Sequence, residues 1–232
     1  MRRVYTSALA MSIMLMPAAA RAQATETSNK VANGGISAAG WAGKIDAKEA
    51  AQGQVLNNSK LAMEGKDLHV ITGPAVTYWN PANKASGDYT VKATFKEPKY
   101  MNLNDHPHPY GIMIGGNDLD TDQASFLYCA VYGDGKFIMR GMGPAAFSVN
   151  GRALAAASVH KAAGKGEPVE QEIAVSVKGD KVECSVNGAV VGSYDKAAVT
   201  GAGKAKSTDG IYGIRFAHNT DGWVSGLTMT KP

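Results

Sequence analysis

Two histidines, His106 and His108, stand on either side of Pro107, and Pro109 follows. Proline favours extended backbone in itself and in the residue before it, and residues two apart in an extended chain point the same way. Both imidazoles can therefore address one ion or one ligand. A metal site asks for at least three ligands, so the pair equally fits a stiff loop leading into the apolar run YGIMIGG. Beyond that run, Asp118, Asp120 and Asp122 alternate after Gly115-Gly116-Asn117. Oxygen donors at every second position suit calcium, which accepts many carboxylate and carbonyl ligands. The EF-hand register is not kept, because Gln123 falls where the turn glycine belongs and Cys129 where the bidentate glutamate belongs. The alternative is an ordinary solvated acidic loop. At about 3.3 Å per residue, YGIMIGG as a strand holds the two loops roughly 20 Å apart. The histidines and the aspartates should not share an ion.

A third group lies in SFLYCAVYGDGKFIMRG. Phe126, Tyr128, Ala130 and Tyr132 share one strand face, and Leu127, Cys129 and Val131 share the other. A strand apolar on both faces must be covered twice. Tyrosine offers a flat ring for a sugar to stack on and a hydroxyl for it to bond. Tyr128 and Tyr132, Arg140 on the partner strand, and His218 with Asn219 near the last turn join His106 and His108 as the candidate ligand-binding set. In the alternative, the tyrosines simply fill the interior. Gly115-Gly116 precedes no helix start and so makes no phosphate loop. A Gly-x-Ser-x-Gly elbow is absent.

The elements that must position these residues are strands. Period-two alternation dominates: Tyr89, Val91, Ala93 and Phe95 face one way in GDYTVKATFKE while Thr90, Lys92, Thr94 and Lys96 face the other. Ile173, Val175 and Val177, then Val182, Cys184 and Val186, repeat the pattern. Asn187-Gly188 is a two-residue hairpin signal, and Asp134-Gly135 turns another hairpin. Helix is limited to fragments near Ala47–Ala51 and 195–199. The Gly- and Ala-rich stretch 141–168 reads as a long excursion between sheets. Many strands with regular turns and almost no helix mean an all-β sandwich. Cys129 and Cys184 each fall in a strand, so a bridge would pin two strands distant in sequence; two buried thiols are the alternative.

Arg2 and Arg3, an apolar stretch to Ala20 and the small residues of Ala20-Arg21-Ala22 have the form of a cleaved export signal over 1–22. Residues 23–34 read as a flexible leader, and 35–232 as the sandwich domain. Removing the signal takes three of the 24 basic residues, so the formal excess of four falls to one. With no surviving Lys/Arg block, nucleic acid is not an expected partner. No later segment is apolar for long enough to span a membrane once the signal is gone. The expected location is periplasmic or secreted, where a disulfide is permitted.

Trp41, the hairpin LAMEGKDLHVIT, the strand GDYTVKATFK, YGIMIGG, the SFLYCAVYGDGKF hairpin, EIAVSVKGDKVECSVNGAVV and the terminal GIYGIRFAHNTDGWVSGLTM follow in this order. The order resembles the concanavalin A-like lectin/glucanase superfamily, and within it secreted bacterial modules near the 3-keto-disaccharide hydrolase family, which is related to family-16 glycoside hydrolases. The resemblance implies a jelly-roll sandwich of two antiparallel sheets with ligands on the concave face or along its rim. The Glu-x-Asp-x-x-Glu run that sets two carboxylates at the spacing retaining chemistry needs is missing, which disfavours ordinary retaining hydrolysis. The expected function is binding of a carbohydrate or carbohydrate-like ligand without catalysis and without a required cofactor, a structural calcium being the ion the acidic loop suggests. The alternatives are a hydrolase or lyase acting on an oxidised (3-keto) sugar, with His106, His108 or an aspartate of 118–122 as general base, and an envelope module for protein contacts.

Overall fold

The computed structural model describes Met1 and residues 26–232; apart from Met1, the export signal expected over 1–22 lies outside the described residues. The chain begins with β1 (Gly35–Ile36), β2 (Ala42–Ile45) and a short helix α1 (Ala47–Ala51). Four strands follow, β3 (Lys60–Glu64), β4 (Asp67–Ile71), β5 (Val76–Ala85) and β6 (Tyr89–Glu97). The middle of the chain supplies β7 (Tyr110–Asn117), β8 (Ser125–Tyr132), β9 (Lys136–Met142), β10 (Ala146–Ser148) and β11 (Leu154–Ala155). Then come β12 (Val169–Lys178), β13 (Lys181–Val186), β14 (Ala189–Asp195), α2 (Lys196–Val199), β15 (Gly210–Phe216) and β16 (Asp221–Thr230). No helix among the described residues is long and apolar enough to cross a membrane.

The strands form two sheets, one ordered β1-β3-β4-β16-β6-β12-β13-β14 and the other β10-β9-β8-β7-β15-β5-β2, with β11 pairing with β9. Pairing is antiparallel except between β1 and β3. This is the all-β sandwich that the alternation of apolar and polar residues implies, in the jelly-roll form that the resemblance implies. The stretch 141–168 differs from the expected free excursion: it turns back twice and adds β10 and β11 to β9, so the sheet edge is partly covered by its own continuation. At the Asn187-Gly188 turn both residues have positive φ, 50° and 82°, as a tight hairpin between right-twisted strands requires.

The interior is the meeting of two alternating sets. Tyr89, Val91, Ala93 and Phe95 of β6 and Ile173, Val175 and Val177 of β12 face Tyr110, Ile112 and Ile114 of β7 and Leu127, Cys129 and Val131 of β8 in one buried cluster. The two sheets differ on their outer faces. The first turns Lys92 and Lys96 to solvent. The second carries a further buried cluster there, made of Trp79, Met113, Leu119, Phe126, Tyr128, Ala130 and Ile138. β7 and β8 are thus buried on both sides, as the double apolar pattern of β8 demands.

Cys129 of β8 and Cys184 of β13 are bridged across the interior, with Cα atoms 6.0 Å apart and a sequence separation of 55. The bond joins the two sheets and closes a loop that the unfolded chain would otherwise leave free. By chain entropy, a loop of this length is worth about 4 kcal/mol of stability. Replacing both cysteines by alanine should therefore lower the unfolding free energy by about that amount, read from urea denaturation. Adding reductant to the unaltered protein should reproduce the shift, and unchanged midpoints in both experiments would contradict it.

Candidate functional site

Strand direction decides which residues meet. β7 starts, and β15 ends, at the same end of the second sheet, because they pair antiparallel with Tyr110 opposite Phe216. The loop before β7, with His106 and His108, is therefore beside the loop after β15, with His218. Ala217 N–H donates to the Pro109 carbonyl at 2.9 Å and locks the two loops together. β2 ends here too, delivering Asp46 and, from α1, Glu49; β8 ends here with Tyr132. The outcome is a cavity of about 400 Å³ lined by His106, His108, His218, Tyr128, Tyr132, Arg140, Arg215, Asp46, Lys48 and Glu49.

The floor follows from register. Thr77, Arg215, Gly111, Ala130 and Ile138 lie in one cross-strand row, and Trp79, Gly213, Met113, Tyr128 and Arg140 in the next. Gly111 and Ala130 are too small to fill the space between Arg215 and the strands beyond. A Cβ at Gly111 would stand only 1.9 Å from the Cys129 carbonyl oxygen. Across this gap the Arg215 guanidinium reaches over the Tyr128 ring, 5.0 Å from its centroid, and lies 5.9 Å from that of Phe126. It donates to Thr77 Oγ1 at 2.8 Å and to Asp46 Oδ2 at 2.6 Å. Burial works against the charge, but Asp46 outweighs it and keeps Arg215 firmly protonated. Arg140 stands directly opposite Tyr128 in the register, and its Nε is buried without a partner among the described residues.

At the other wall three imidazoles crowd together. The rings of His106 and His108 have centroids 4.3 Å apart, and those of His108 and His218 are 4.2 Å apart, both pairs nearly perpendicular. His108 Nδ1 is 2.6 Å from the His218 carbonyl oxygen. A carbonyl only accepts, so Nδ1 carries the proton and Nε2 turns a lone pair inward. His106 Nδ1 likewise donates to Asp105 Oδ1 at 2.5 Å, and its Nε2 is 2.9 Å from His108 Nε2. Burial, and then the repulsion that a second proton would meet from His218, lower the His108 pKa to about 4.

Glu26 completes the cluster. Its Oε2 is 3.4 Å from His106 Nδ1, 3.4 Å from His108 Nε2 and 3.7 Å from His218 Nε2. Glu26 belongs to the stretch expected to be a flexible leader. From Glu26 onward that stretch is tied down instead: Asn219 Nδ2 donates to Glu26 Oε1 and the Thr27 carbonyl, and Asn29 N–H donates to Asn219 Oδ1. Ser28 Oγ adds a 2.6 Å bond to Glu49.

Six of the seven expected ligand-binding residues, His106, His108, Tyr128, Tyr132, Arg140 and His218, line the one cavity. Asn219 does not. It is 1 % exposed, and its amide is consumed in holding the N-terminal segment. The aspartates lie at the far end of β7, as its length requires. Asp118 pairs with Lys206 and Asp122 with Lys44, Asp120 is exposed, and among the described residues they form no group of three converging ligand atoms. Arg215, Asp46, Glu49 and Glu26 were not anticipated. Arg215 alone had a local signal, since in GIYGIRF it falls on the face opposite Ile214 and Phe216, where a mid-strand charge needs a partner.

No protein-family model matches the chain, and no curated protein does. Solved structures place it among β-sandwiches of the jelly-roll class. It is similar to a carbohydrate-binding module, CBM66, from Bacillus subtilis (TM-score 0.54, 9 % identity, 85 % of this chain and 99 % of that one). It is also similar to an endo-β-1,3-glucanase from Pyrococcus furiosus (TM-score 0.55, 13 % identity, 82 % and 88 %). A third similar structure is a protein of unknown function with a galectin-like fold from Bacillus subtilis (TM-score 0.52, 9 % identity, 82 % and 89 %). The likeness is one of fold.

Because the folded His108 titrates near 4 and an unfolded histidine near 6.5, the unfolded chain binds more protons between these values. Stability from this group is lost as pH falls through that window. Glu97, buried in β6 and pushed up to about 7 by burial, has the opposite slope, losing stability as pH rises from its ordinary range toward 7. The difference between variants separates them. Urea midpoints of His108→Gln should decline less than those of the unaltered protein from pH 6.5 to 4, whereas Glu97→Gln should decline more. Parallel curves for His108→Gln would contradict the assignment.

Proposed function

We propose that the protein is an exported β-sandwich that binds a carbohydrate in the cavity floored by Tyr128 and Arg140 and bordered by Tyr132 and the histidine cluster. The observation that carries this reading is the convergence of the Tyr132 ring, an incompletely partnered guanidinium and imidazoles on the one outer sheet face that is apolar among the described residues. Sugar recognition uses this combination, since rings cover the apolar C–H face and planar donors take hydroxyl or carboxylate oxygens. The fold it shares with a carbohydrate-binding module and a glucanase supports the same ligand class. Binding without turnover is favoured by the state of the cavity carboxylates. Asp46 is held by Arg215, and Glu49 accepts from Ser28 Oγ and from the Ala75 N–H, so neither is free to act as a nucleophile.

The hydrolytic alternative, on an oxidised (3-keto) sugar, draws support from the imidazole and Glu26 cluster at the cavity wall, which supplies general-base chemistry. The two readings part on one comparison. A glycan array followed by calorimetry on the best ligand should show binding without product. Tyr132→Ala and Arg140→Ala should each weaken it about tenfold, equivalent to about 1.4 kcal/mol, with the fold retained by circular dichroism. Turnover that disappears in the His106→Ala/His108→Ala double variant would establish the hydrolase instead. An array on which nothing binds would remove the glycan reading.

A further inference from the structure

The cluster of Glu26, His108 and His218 has more lone pairs than protons to share. His108 Nδ1 is committed as a donor to the His218 carbonyl, and His218 Nδ1 faces Glu49 Oε1 at 3.4 Å. With a proton on each Nδ1, each ring turns Nε2 inward as an acceptor, and His108 Nε2 also meets His106 Nε2 at 2.9 Å. Both Nε2 atoms meet Glu26 Oε2, another acceptor, at 3.4 and 3.7 Å. Glu26 Oε2 and His218 Nε2 are buried and have no hydrogen-bond partner among the described residues. Acceptors that converge in a buried place repel one another unless a proton or a metal cation lies between them.

The spacing fits a small tetrahedral cation. Ligand atoms bonded at about 2.0–2.1 Å in a tetrahedral shell lie roughly 3.3–3.4 Å from one another, which matches the 3.4 Å between Glu26 Oε2 and His108 Nε2 and is a little below the 3.7 Å between Glu26 Oε2 and His218 Nε2. The three ligand atoms all lie within 4.8 Å of each other. Imidazole and carboxylate donors select ions of the zinc class over calcium or magnesium, which prefer all-oxygen shells. The outward partners also fit: metal-bound histidines characteristically give their other N–H to a carbonyl or carboxylate, and here the His218 carbonyl and Glu49 take those places.

We propose that Glu26, His108 and His218 bind one divalent transition-metal ion of the zinc class, with the fourth position open toward the cavity beside His106. His106 is the exposed member of the cluster, its side chain 58 % accessible against 4 % for that of His108. It borders the open side and is not needed to hold the ion. Three protein ligands with one position left open is the arrangement that lets a metal contact a second ligand directly.

The test is titration of the purified, metal-stripped protein with Zn²⁺ by calorimetry, and with Co²⁺ followed by its visible absorption, both without any sugar. One equivalent should bind, and Co²⁺ should give the intense visible bands of a four-coordinate site. His108→Ala, His218→Ala and Glu26→Gln should each weaken binding by about 100-fold, whereas His106→Ala should leave a one-equivalent site. Absence of stoichiometric binding by the unaltered protein overturns the proposal, as does binding undiminished in His108→Ala and His218→Ala. If the buried histidine variants fail to fold, Glu26→Gln decides, because its loss leaves the sandwich interior untouched. A glycan array run in chelator tests the carbohydrate reading separately, so either idea can fail without the other.

Discussion

The second sheet cannot leave its outer face to water, and most of the molecule's organisation follows from that constraint. β7 and β8 are apolar on both sides, with the interior against one face and the Trp79–Phe126–Tyr128–Ile138 cluster on the other. Covering the second face recruits Leu119 from the loop after β7 and partly buried Ala42, Met142 and Ala153 from flanking segments. What remains uncovered is bounded by walls on several sides. A cavity of about 670 Å³ lined by Trp79, Phe126 and Met142 continues from the histidine end along the same face. The first sheet, with lysines outward, carries no second apolar cluster among the described residues, and the cavity of about 340 Å³ on its outer face is lined by Thr94, Lys96, Glu170 and Trp223. The location of the site is thus a consequence of which sheet is apolar twice.

Within that surface, small residues do as much as large ones. Gly111 and Ala130 hold their row low, so that Arg215 can lie across Tyr128 and still reach Asp46 and Thr77. A buried guanidinium is stable only with such partners, and the partners come from β2 and β5, on the far side of β15 from Tyr128. The cavity floor is therefore braced across five strands and has little freedom to deform. The histidine wall is held differently, by loop-to-loop bonds and by the amide of Asn219.

Much of the fold was legible in the chain, because alternation in β6, β8, β12 and β13 states both the strand and its buried face. The short helices at Ala47 and Lys196 and the tight Asn187-Gly188 turn were legible for the same local reason. So was the separation of the histidines from the aspartates, which needs only the rise of a strand. The candidate cavity was legible as a set of residue types but not as a place. That His106 and His218 meet depends on β7 and β15 being neighbours, and pairing between distant strands leaves no mark in either one. Glu26 was invisible for a stricter reason. It sits in a polar stretch with no periodicity, and its position is set by Asn219, a residue whose chemistry suggested ligand contact. The strands after Met142 leave no mark in the sequence because β10 and β11 are too short to show alternation.

Glu26 and Asn219 are 193 positions apart, and the clip between them has a bearing on how the molecule assembles. Closing a loop of that size is among the most expensive entropic steps available to the chain, about 4–5 kcal/mol before its fixed part is counted. It becomes favourable only after the sandwich has brought β15 beside β7. The Glu26–His108–His218 cluster is consequently absent from any state in which β15 has not yet paired with β7. A partly folded chain would show the paired histidines of the 106–108 loop to solvent, with neither the carboxylate nor the third imidazole beside them. Whatever the cluster recognises, it is presented only by molecules that have finished folding.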